Sequence, residues 1–156
     1  MKNRRCGNCG QFEMKVTKTQ GPFKWKDFQQ VTLVKPLDLL RCATCGEHGL
    51  RPGDSSQLDK AIEASIRTYA KEWIEMILAR EECSQVELAT RVGITPEYLS
   101  WVKNGARTPA FQTFNMLKTF ASDPRAFLIS DPFMEMIENI KEDVSEVYGQ
   151  MISKLA

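Results

Sequence analysis

The sequence predicts a mainly α-helical protein with a small β module at its N-terminus. Near the start of the chain apolar and polar residues alternate, as in strands, whereas from Leu58 onward apolar residues recur every third or fourth position, as in helices. Turn-rich or proline-containing segments separate these regions at Arg51-Pro52-Gly53 and Asp131-Pro132. The predicted parts are a β module at 1–53, a linker and helix start at 54–65, a helical domain at 66–130, and a C-terminal helix at 131–156.

The β module is expected to contain a short antiparallel hairpin. Phe12, Met14 and Val16 share one phase of the alternation, and Val31 and Leu33 belong to a later apolar run. Gln20-Gly21-Pro22 lies between the two runs and is typical of a turn.

The helices are predicted from their apolar stripes and from their first residues. One long helix, ending near Glu82, is predicted by the stripe Leu58, Ile62, Ile66, Tyr69, Trp73 and Ile77. Four helix starts follow it, at the capping box Ser84 to Glu87, at Thr95-Pro96, at Asp123-Pro124 and at Asp131-Pro132. Thr108-Pro109 precedes a further helix, whose apolar residues are Phe111, Phe114, Leu117 and Phe120.

The net charge does not by itself decide whether the protein binds nucleic acid. The chain of 156 residues has a formal net charge of only +1, which gives no overall attraction to phosphates. The charge is uneven, however. Residues 1–53 hold ten basic and four acidic side chains (+6), residues 54–130 hold nine and ten (−1), and residues 131–156 hold two and six (−4).

Two classes of protein are disfavoured. The chain has no run of about 18 uncharged apolar residues, and its first residues lack the apolar stretch of a signal peptide. We therefore expect a cytoplasmic protein that does not enter a membrane, in a reducing compartment that disfavours disulfides. The chain has one histidine and no base arranged beside a nucleophile, so we do not expect an enzyme.

Two Cys-x-x-Cys-Gly motifs predict a metal site. Cys6 and Cys9 form one pair, Cys42 and Cys45 form the other, and each pair precedes a glycine. Four thiolates in tight turns suit a closed tetrahedral site, so we expect one structural Zn²⁺ per chain. A single iron, as in rubredoxin-like sites, is an alternative, and so are free thiols or disulfides.

Two further residues could act as a metal ligand or as a reactive group. His48 follows Cys45 by three residues and could replace one of the cysteines as a ligand. Cys83 is unpaired, and its position before the capping box favours a packed side chain over a nucleophile.

Residues 84–105 predict two short helices joined by a turn at Gly93. The second helix, from Pro96 to Lys103, is expected to turn an apolar side to the core. The residues predicted to face the core are Leu88, Val92, Ile94, Leu99 and Val102, and those predicted to face outward are Glu97, Tyr98, Ser100, Trp101 and Lys103. A generic helical bundle is the alternative reading.

This segment resembles the Cro/CI-like (Xre) helix-turn-helix family. The matching residues are Ser84-Gln85-x-Glu87-Leu88-Ala89, Gly93-Ile94-Thr95, Leu99-Ser100, Asn104-Gly105 and Thr108-Pro109. The resemblance covers about 66–130 and implies a five-helix domain that binds DNA. The second short helix is then expected to enter the major groove.

With the cysteine motifs ahead of it, the chain to about residue 130 resembles the YgiT/MqsA-type antitoxin family. The four cysteines match that family's zinc ligands in order. The resemblance implies a zinc module that binds a toxin, usually an mRNA-cutting ribonuclease, and a C-terminal dimer that represses its own operon. Glu97 and Trp101 stand where the family pattern has a base-reading Asn and Arg, so a different operator is expected. Residues 131–156 extend beyond the match.

The DNA contacts divide into two groups. Base reading is assigned to Glu97, Tyr98, Ser100 and Trp101, with Glu97 accepting from cytosine and the rings lying against thymine methyl groups. Phosphate contacts are assigned to Gln85, Thr95, Lys103, Asn104 and Arg107. One such unit reads about four base pairs, so a homodimer on palindromic double-stranded DNA is expected.

The C-terminal helix is the predicted dimerisation element. A seam of period 3.5 is formed by Phe133, Ile137, Ile140, Val144, Val147 and Met151. The alternative is a helix that packs on its own domain, because under three heptads make a short coiled coil.

The β module is also predicted to expose a basic and aromatic surface. Lys15, Lys18, Lys24 and Lys26 are interleaved with Phe12, Phe23 and Trp25, which suits nucleic acid or an acidic protein patch. A merely solvated hairpin tip is the alternative. The +6 charge would not favour a strongly basic ribonuclease toxin.

The sequence therefore predicts a dimeric DNA-binding repressor, an antitoxin-type autoregulator of a toxin-antitoxin operon. The alternatives are a stand-alone or mobile-element transcriptional regulator whose zinc module binds another protein or DNA, and an iron redox protein.

Overall fold

The computed structural model describes residues 4–129, which contain a small antiparallel β region followed by five helices. The strands are β1 (Met14–Thr19), β2 (Phe23–Trp25), β3 (Phe28–Val31), β4 (Leu37–Cys42) and β5 (His48–Gly49). The helices are α1 (Asp54–Arg80), α2 (Gln85–Val92), α3 (Pro96–Lys103), α4 (Phe111–Ser122) and α5 (Pro124–Ile129). The predicted mainly α architecture with a small N-terminal β region is confirmed. The predicted C-terminal helix and its seam lie outside the described residues.

The strands form two small sheets, and this pairing corrects the predicted hairpin. β1 pairs with β4, from Met14 opposite Cys42 to Thr19 opposite Leu37, and β5 extends this sheet beyond β4. β2 and β3 form a separate two-stranded sheet. β1 follows the first cysteine pair and β4 leads into the second, so their pairing brings the two pairs together.

Helix α1 starts earlier than its apolar stripe predicts. The Asp54 carboxylate accepts hydrogen bonds from the Arg51 backbone N–H (2.9 Å) and from the Arg51 guanidinium. The same guanidinium donates to the Asp38 carbonyl of β4 at 2.9 Å. These bonds anchor the first turn of α1 to the sheet, and residues 54–65 are helical throughout.

The buried face of α1 differs slightly from the predicted stripe. Tyr69 and Trp73 are only half-buried, whereas Ala70 and Ile74 are fully buried. The buried apolar residues of α1 are Ile62, Ile66, Ala70, Ile74 and Ile77. Every helix among the described residues is too short or too polar to cross a lipid bilayer.

One apolar core joins the β module to the helices. Phe28 of β3 meets Phe111 and Phe114 of α4 edge-on, with ring centroids 5.4 and 5.2 Å apart. Val31 and Leu33 are buried in the same cluster as Ile62 and the other buried residues of α1. The Val31 run does not pair with β1, because the backbone of β3 pairs with β2, with Val31 opposite Phe23.

Helices α2 and α3 have the predicted starts and share a buried face. Ser84 and Thr95 accept hydrogen bonds from the backbone N–H groups of Glu87 (3.1 Å) and Tyr98 (3.2 Å). The chain turns between the helices through residues 93–95. The four fully buried side chains of the pair are Leu88, Ala89, Leu99 and Val102. Val92 and Ile94 pack against this core and are partly buried.

Candidate metal centre and candidate nucleic-acid interface

The two cysteine motifs fold into nearly identical turns, which we call knuckles and which span 6–10 and 42–46. In each knuckle the glycine N–H donates to the carbonyl of the first cysteine at 3.0 Å. Gly10 and Gly46 adopt φ angles of +76° and +74°, a conformation that side chains disfavour. The glycine that follows each pair is therefore required by the turn.

The four sulfur atoms lie close enough together to bind one metal ion. The Sγ atoms of Cys6 and Cys45 are 3.6 Å apart, as are those of Cys9 and Cys42, and all four lie within 4.8 Å of one another. Zn–S bonds of roughly 2.3 Å in a tetrahedron place the sulfurs about 3.8 Å apart. Disulfide sulfurs would lie roughly 2.05 Å apart, so these cysteines are free thiols. The cluster could hold a metal ion, and its geometry is compatible with structural zinc.

The thiols influence one another's ionisation. The backbone N–H groups of Cys45 and Thr44 bond the Cys42 sulfur and lower the pKa of Cys42 to about 6. The backbone N–H of Gln11 acts in the same direction on Cys9, but burial and the neighbouring sulfurs raise the pKa of Cys9 to about 12. Four thiols this close cannot all ionise unless a cation offsets their charge. The donor set therefore suits a bound metal cation.

An arginine precedes each knuckle and covers its glycine. Arg5 Nε donates to the Gly10 carbonyl at 3.0 Å, and Arg41 Nε donates to the Gly46 carbonyl at 3.4 Å. Each guanidinium is thereby held against the glycine that ends its knuckle. The repeated Arg-Cys-x-x-Cys-Gly pattern was visible in the sequence, but the arginines were missed.

His48 and Cys83 lie apart from the sulfur cluster. His48 is on β5, with Nε2 3.4 Å from Thr19 Oγ1 and its ring centroid 5.6 Å from that of Phe23. The Nε2 atom of His48 therefore faces Thr19. The cluster that could hold a metal ion consists of the four cysteines, so His48 does not replace one of them. Cys83 packs against the helical core, and burial raises the pKa of its thiol. The prediction of a packed Cys83 is confirmed.

The outer face of α3 carries most of the predicted base-reading residues. Glu97 is exposed, Trp101 is 50% exposed, and Ser100 is half-buried. Tyr98 differs from its predicted outward position, because its ring packs against the core and its hydroxyl oxygen accepts from the Ala110 N–H at 2.9 Å. Tyr98 lies at the edge of the outer face, next to the buried Leu99 and Val102.

The residues predicted to bind phosphate are spread around α3. Gln85 donates from Nε2 to the Pro96 carbonyl at 3.3 Å, which places it at the start of α3. Thr95 caps the same end, and Asn104 lies at the other end, with Nδ2 3.4 Å from Ser100 Oγ. Lys103 is half-buried, and Arg107 is exposed in the following loop.

A polar network fixes the loop after α3 to helix α1. Arg67 Nε donates to Thr108 Oγ1 at 2.7 Å, and that hydroxyl donates to the Glu63 carboxylate at 2.8 Å. Arg67 also bonds Glu63 directly at 2.8 Å. The sequence reasoning missed Glu63 and Arg67, since they lie more than 40 residues from the loop they hold.

The β module was predicted to expose a basic and aromatic surface, and the structure contradicts the aromatic part of that prediction. Phe23 is buried, and Trp25 is half-buried, with its indole N–H donating to Asp59 of α1 at 3.0 Å. Phe12 is exposed. Because β2 and β3 pack on the helices, the Phe23 ring is buried and the Trp25 ring is only partly accessible.

Acid is expected to weaken the Glu63 network. The hydrogen bond from Thr108, and then that from Arg67, lower the pKa of Glu63 below its ordinary value of 4.5. The network therefore contributes stability fully above that value and loses the contribution as the pH falls through the lower pKa of the folded chain. Glu63→Gln should flatten the dependence of the urea midpoint on pH below roughly pH 5.

Two controls isolate the contribution of the Glu63 network to the pH dependence of stability. Acid also releases metal from thiolates, so the difference between wild type and Glu63→Gln isolates the network. Glu72→Gln, on the exposed side of the same helix, controls for the loss of one acidic group. If the urea midpoints of wild type and Glu63→Gln change with pH in parallel, the network does not contribute to the pH dependence of stability.

Two groups of residues thus form candidate sites. The four thiols could hold one metal ion, and the outer face of α3 with its following loop presents acidic, aromatic and cationic side chains on one surface. Comparison of the sequence with protein-family models and with curated proteins gives no significant match.

Proposed function

We propose that the protein is a dimeric, sequence-specific DNA-binding regulator whose N-terminal module is stabilised by one Zn²⁺. The observation that carries the proposal is the α2–α3 pair. Two helices of eight residues each, joined by a short turn, share a fully buried face and leave a polar and aromatic face on the second helix. Such a pair is suited to act as a helix-turn-helix whose second helix enters the major groove.

The exposed indole of Trp101 supports this role for α3. A large apolar side chain on the surface of a short polar helix indicates contact with a partner. Glu97 lies one helical turn before it and is also exposed. The pair supplies an acceptor for cytosine N4 and an apolar surface for a thymine methyl group, so α3 can distinguish base pairs.

Structural zinc is proposed because the sulfur site is closed. All four ligands come from the protein, which leaves no open position for a substrate. The ion would connect the two ends of the β module, because one knuckle lies near each end. A colourless purified protein that contains zinc would eliminate the iron alternative, since tetrathiolate iron is coloured and redox-active.

Autoregulation of a toxin-antitoxin operon is the most specific form of the proposal. It rests on the sequence resemblance, with the β module as the toxin-binding part. The genomic neighbourhood tests it: a small ribonuclease-like reading frame beside the gene supports the antitoxin, and its absence supports the stand-alone regulator.

Truncation of Trp101 is expected to weaken specific DNA binding. Sites would first be enriched from a random duplex library with the zinc-loaded protein. On the enriched site, Trp101→Ala should lose roughly ten- to a hundredfold in affinity, because a good base contact contributes about 1–3 kcal/mol of discrimination. Fluorescence anisotropy with labelled duplexes measures this.

A control variant distinguishes loss of the Trp101 base contact from the general effect of removing an exposed apolar side chain. Met76→Ala removes another exposed apolar side chain, on α1, and should bind as wild type does. If wild type enriches no sequence, or if Trp101→Ala keeps full preference for the enriched site over scrambled DNA, the assignment of α3 as the reading helix fails.

A further inference from the structure

The guanidinium of Arg107 lies against two aromatic rings of α3. Its Cζ atom is 5.4 Å from the centroid of the Tyr98 ring and 5.8 Å from that of Trp101. Both distances are within the range of a cation–π contact. The two rings are one helical turn apart, so Arg107 is held along the flank of α3 although it belongs to the following loop.

The loop that carries Arg107 is fixed on both sides of it. The backbone N–H groups of Ala106 and Arg107 donate to the Trp101 carbonyl, at 2.9 and 3.3 Å. On the far side the Ala110 N–H donates to the Tyr98 hydroxyl at 2.9 Å, and Thr108 belongs to the Glu63–Arg67 network. The backbone position of Arg107 is therefore set before any ligand binds, which reduces the ordering cost of a contact.

The Arg107 guanidinium keeps its hydrogen-bond donors available. A cation–π contact uses the charge of the group and does not use any of its N–H donors. Arg107 is exposed, and it lines an open groove of about 350 Å³. Lys26, Asp27 and Glu63 line the same groove, and Glu63 is already bonded by Arg67 and Thr108.

We infer that Arg107 reads a base pair by donating two hydrogen bonds to O6 and N7 of a guanine in the major groove. Its place beside Trp101, on the helix proposed to enter that groove, favours a base over a phosphate. Tyr98 is then a positioning residue, since its hydroxyl already accepts a backbone N–H. The inference rests on the proposed DNA-binding function and changes the predicted role of Arg107 from phosphate contact to base reader.

The test compares sequence preference rather than affinity alone. Zinc-loaded wild type, Arg107→Ala and Arg107→Lys would each be used to enrich sites from a random duplex library. Wild type should enrich a guanine at one fixed position of each half-site, and both variants should lose preference at that position only. Replacing that G·C pair by A·T should cost wild type roughly ten- to a hundredfold in affinity and should cost either variant less than about threefold.

Arg107→Lys separates guanine recognition from the effect of charge, because it keeps the positive charge and loses the planar guanidinium that donates two hydrogen bonds to guanine. Lys103→Ala is the matched control, and it should lower affinity equally on both duplexes and reduce the salt dependence. If Arg107→Ala behaves as Lys103→Ala does, Arg107 contacts phosphate and the inference is overturned while the proposed function stands. If wild type enriches no sequence, both are overturned.

Discussion

Replacing Cys42 by serine is expected to remove the metal ion and to unfold the β module. Cys42 is buried, supplies one of the four sulfurs and is also the last residue of β4, opposite Met14 of β1. Its loss leaves three ligands and weakens the sheet at the same point. Structural zinc sites provide roughly 10–16 kcal/mol of apparent binding free energy, so the free energy of unfolding should fall by several kcal/mol.

The fifth cysteine provides the control for this experiment. Cys83→Ser removes a thiol that lies outside the cluster, so it should keep one zinc per chain. Zinc content by atomic emission and thermal unfolding by circular dichroism measure the two effects. Wild-type zinc content and stability in Cys42→Ser would show that the four thiols do not form the metal site.

Truncating Phe28 is expected to have the next largest effect. Its side chain is only 6% exposed and lies between β3 and α4, against Phe111 and Phe114. Phe28→Ala removes a buried ring where the β module meets the helices, so the free energy of unfolding should fall by about 3–5 kcal/mol. Because one core joins both parts, they should unfold together in the wild type and separately in the variant.

Urea unfolding of the zinc-loaded proteins, followed by both far-ultraviolet circular dichroism and tryptophan fluorescence, checks this prediction. Phe12→Ala, which truncates a ring that is 60% exposed, should change stability by less than about 0.5 kcal/mol. If Phe28→Ala unfolds at the wild-type midpoint, the β module does not contribute to the stability of the helices.

The helix starts could be predicted because their signals are local. Ser84 and Thr95 each accept a hydrogen bond from a backbone N–H only three residues away, so the sequence around them contains the whole interaction. Strand pairing could not be predicted in the same way. β1 pairs with β4 rather than with the nearer β2 or β3, and the alternation of apolar and polar residues does not indicate which strands pair.

The candidate sites show the same division between local and distant contacts. The cysteines were predicted from their spacing, and the structure brings all four together. Periodicity placed Tyr98 outward, but its position beside the buried Leu99 lets the ring pack inward and the hydroxyl reach Ala110. The bond between Arg67 and Thr108 joins residues 41 positions apart, so no sequence window contains it.

The position of the knuckles at opposite ends of the β module has a consequence for synthesis of the chain on the ribosome. Cys6 and Cys42 are 36 positions apart, so at roughly 5–20 residues per second the first knuckle waits about 2–7 s for the second. During that interval the first knuckle could offer a metal ion only two protein thiolates. The set of four thiolates would be complete only after the second knuckle has been synthesised and β4 has paired with β1.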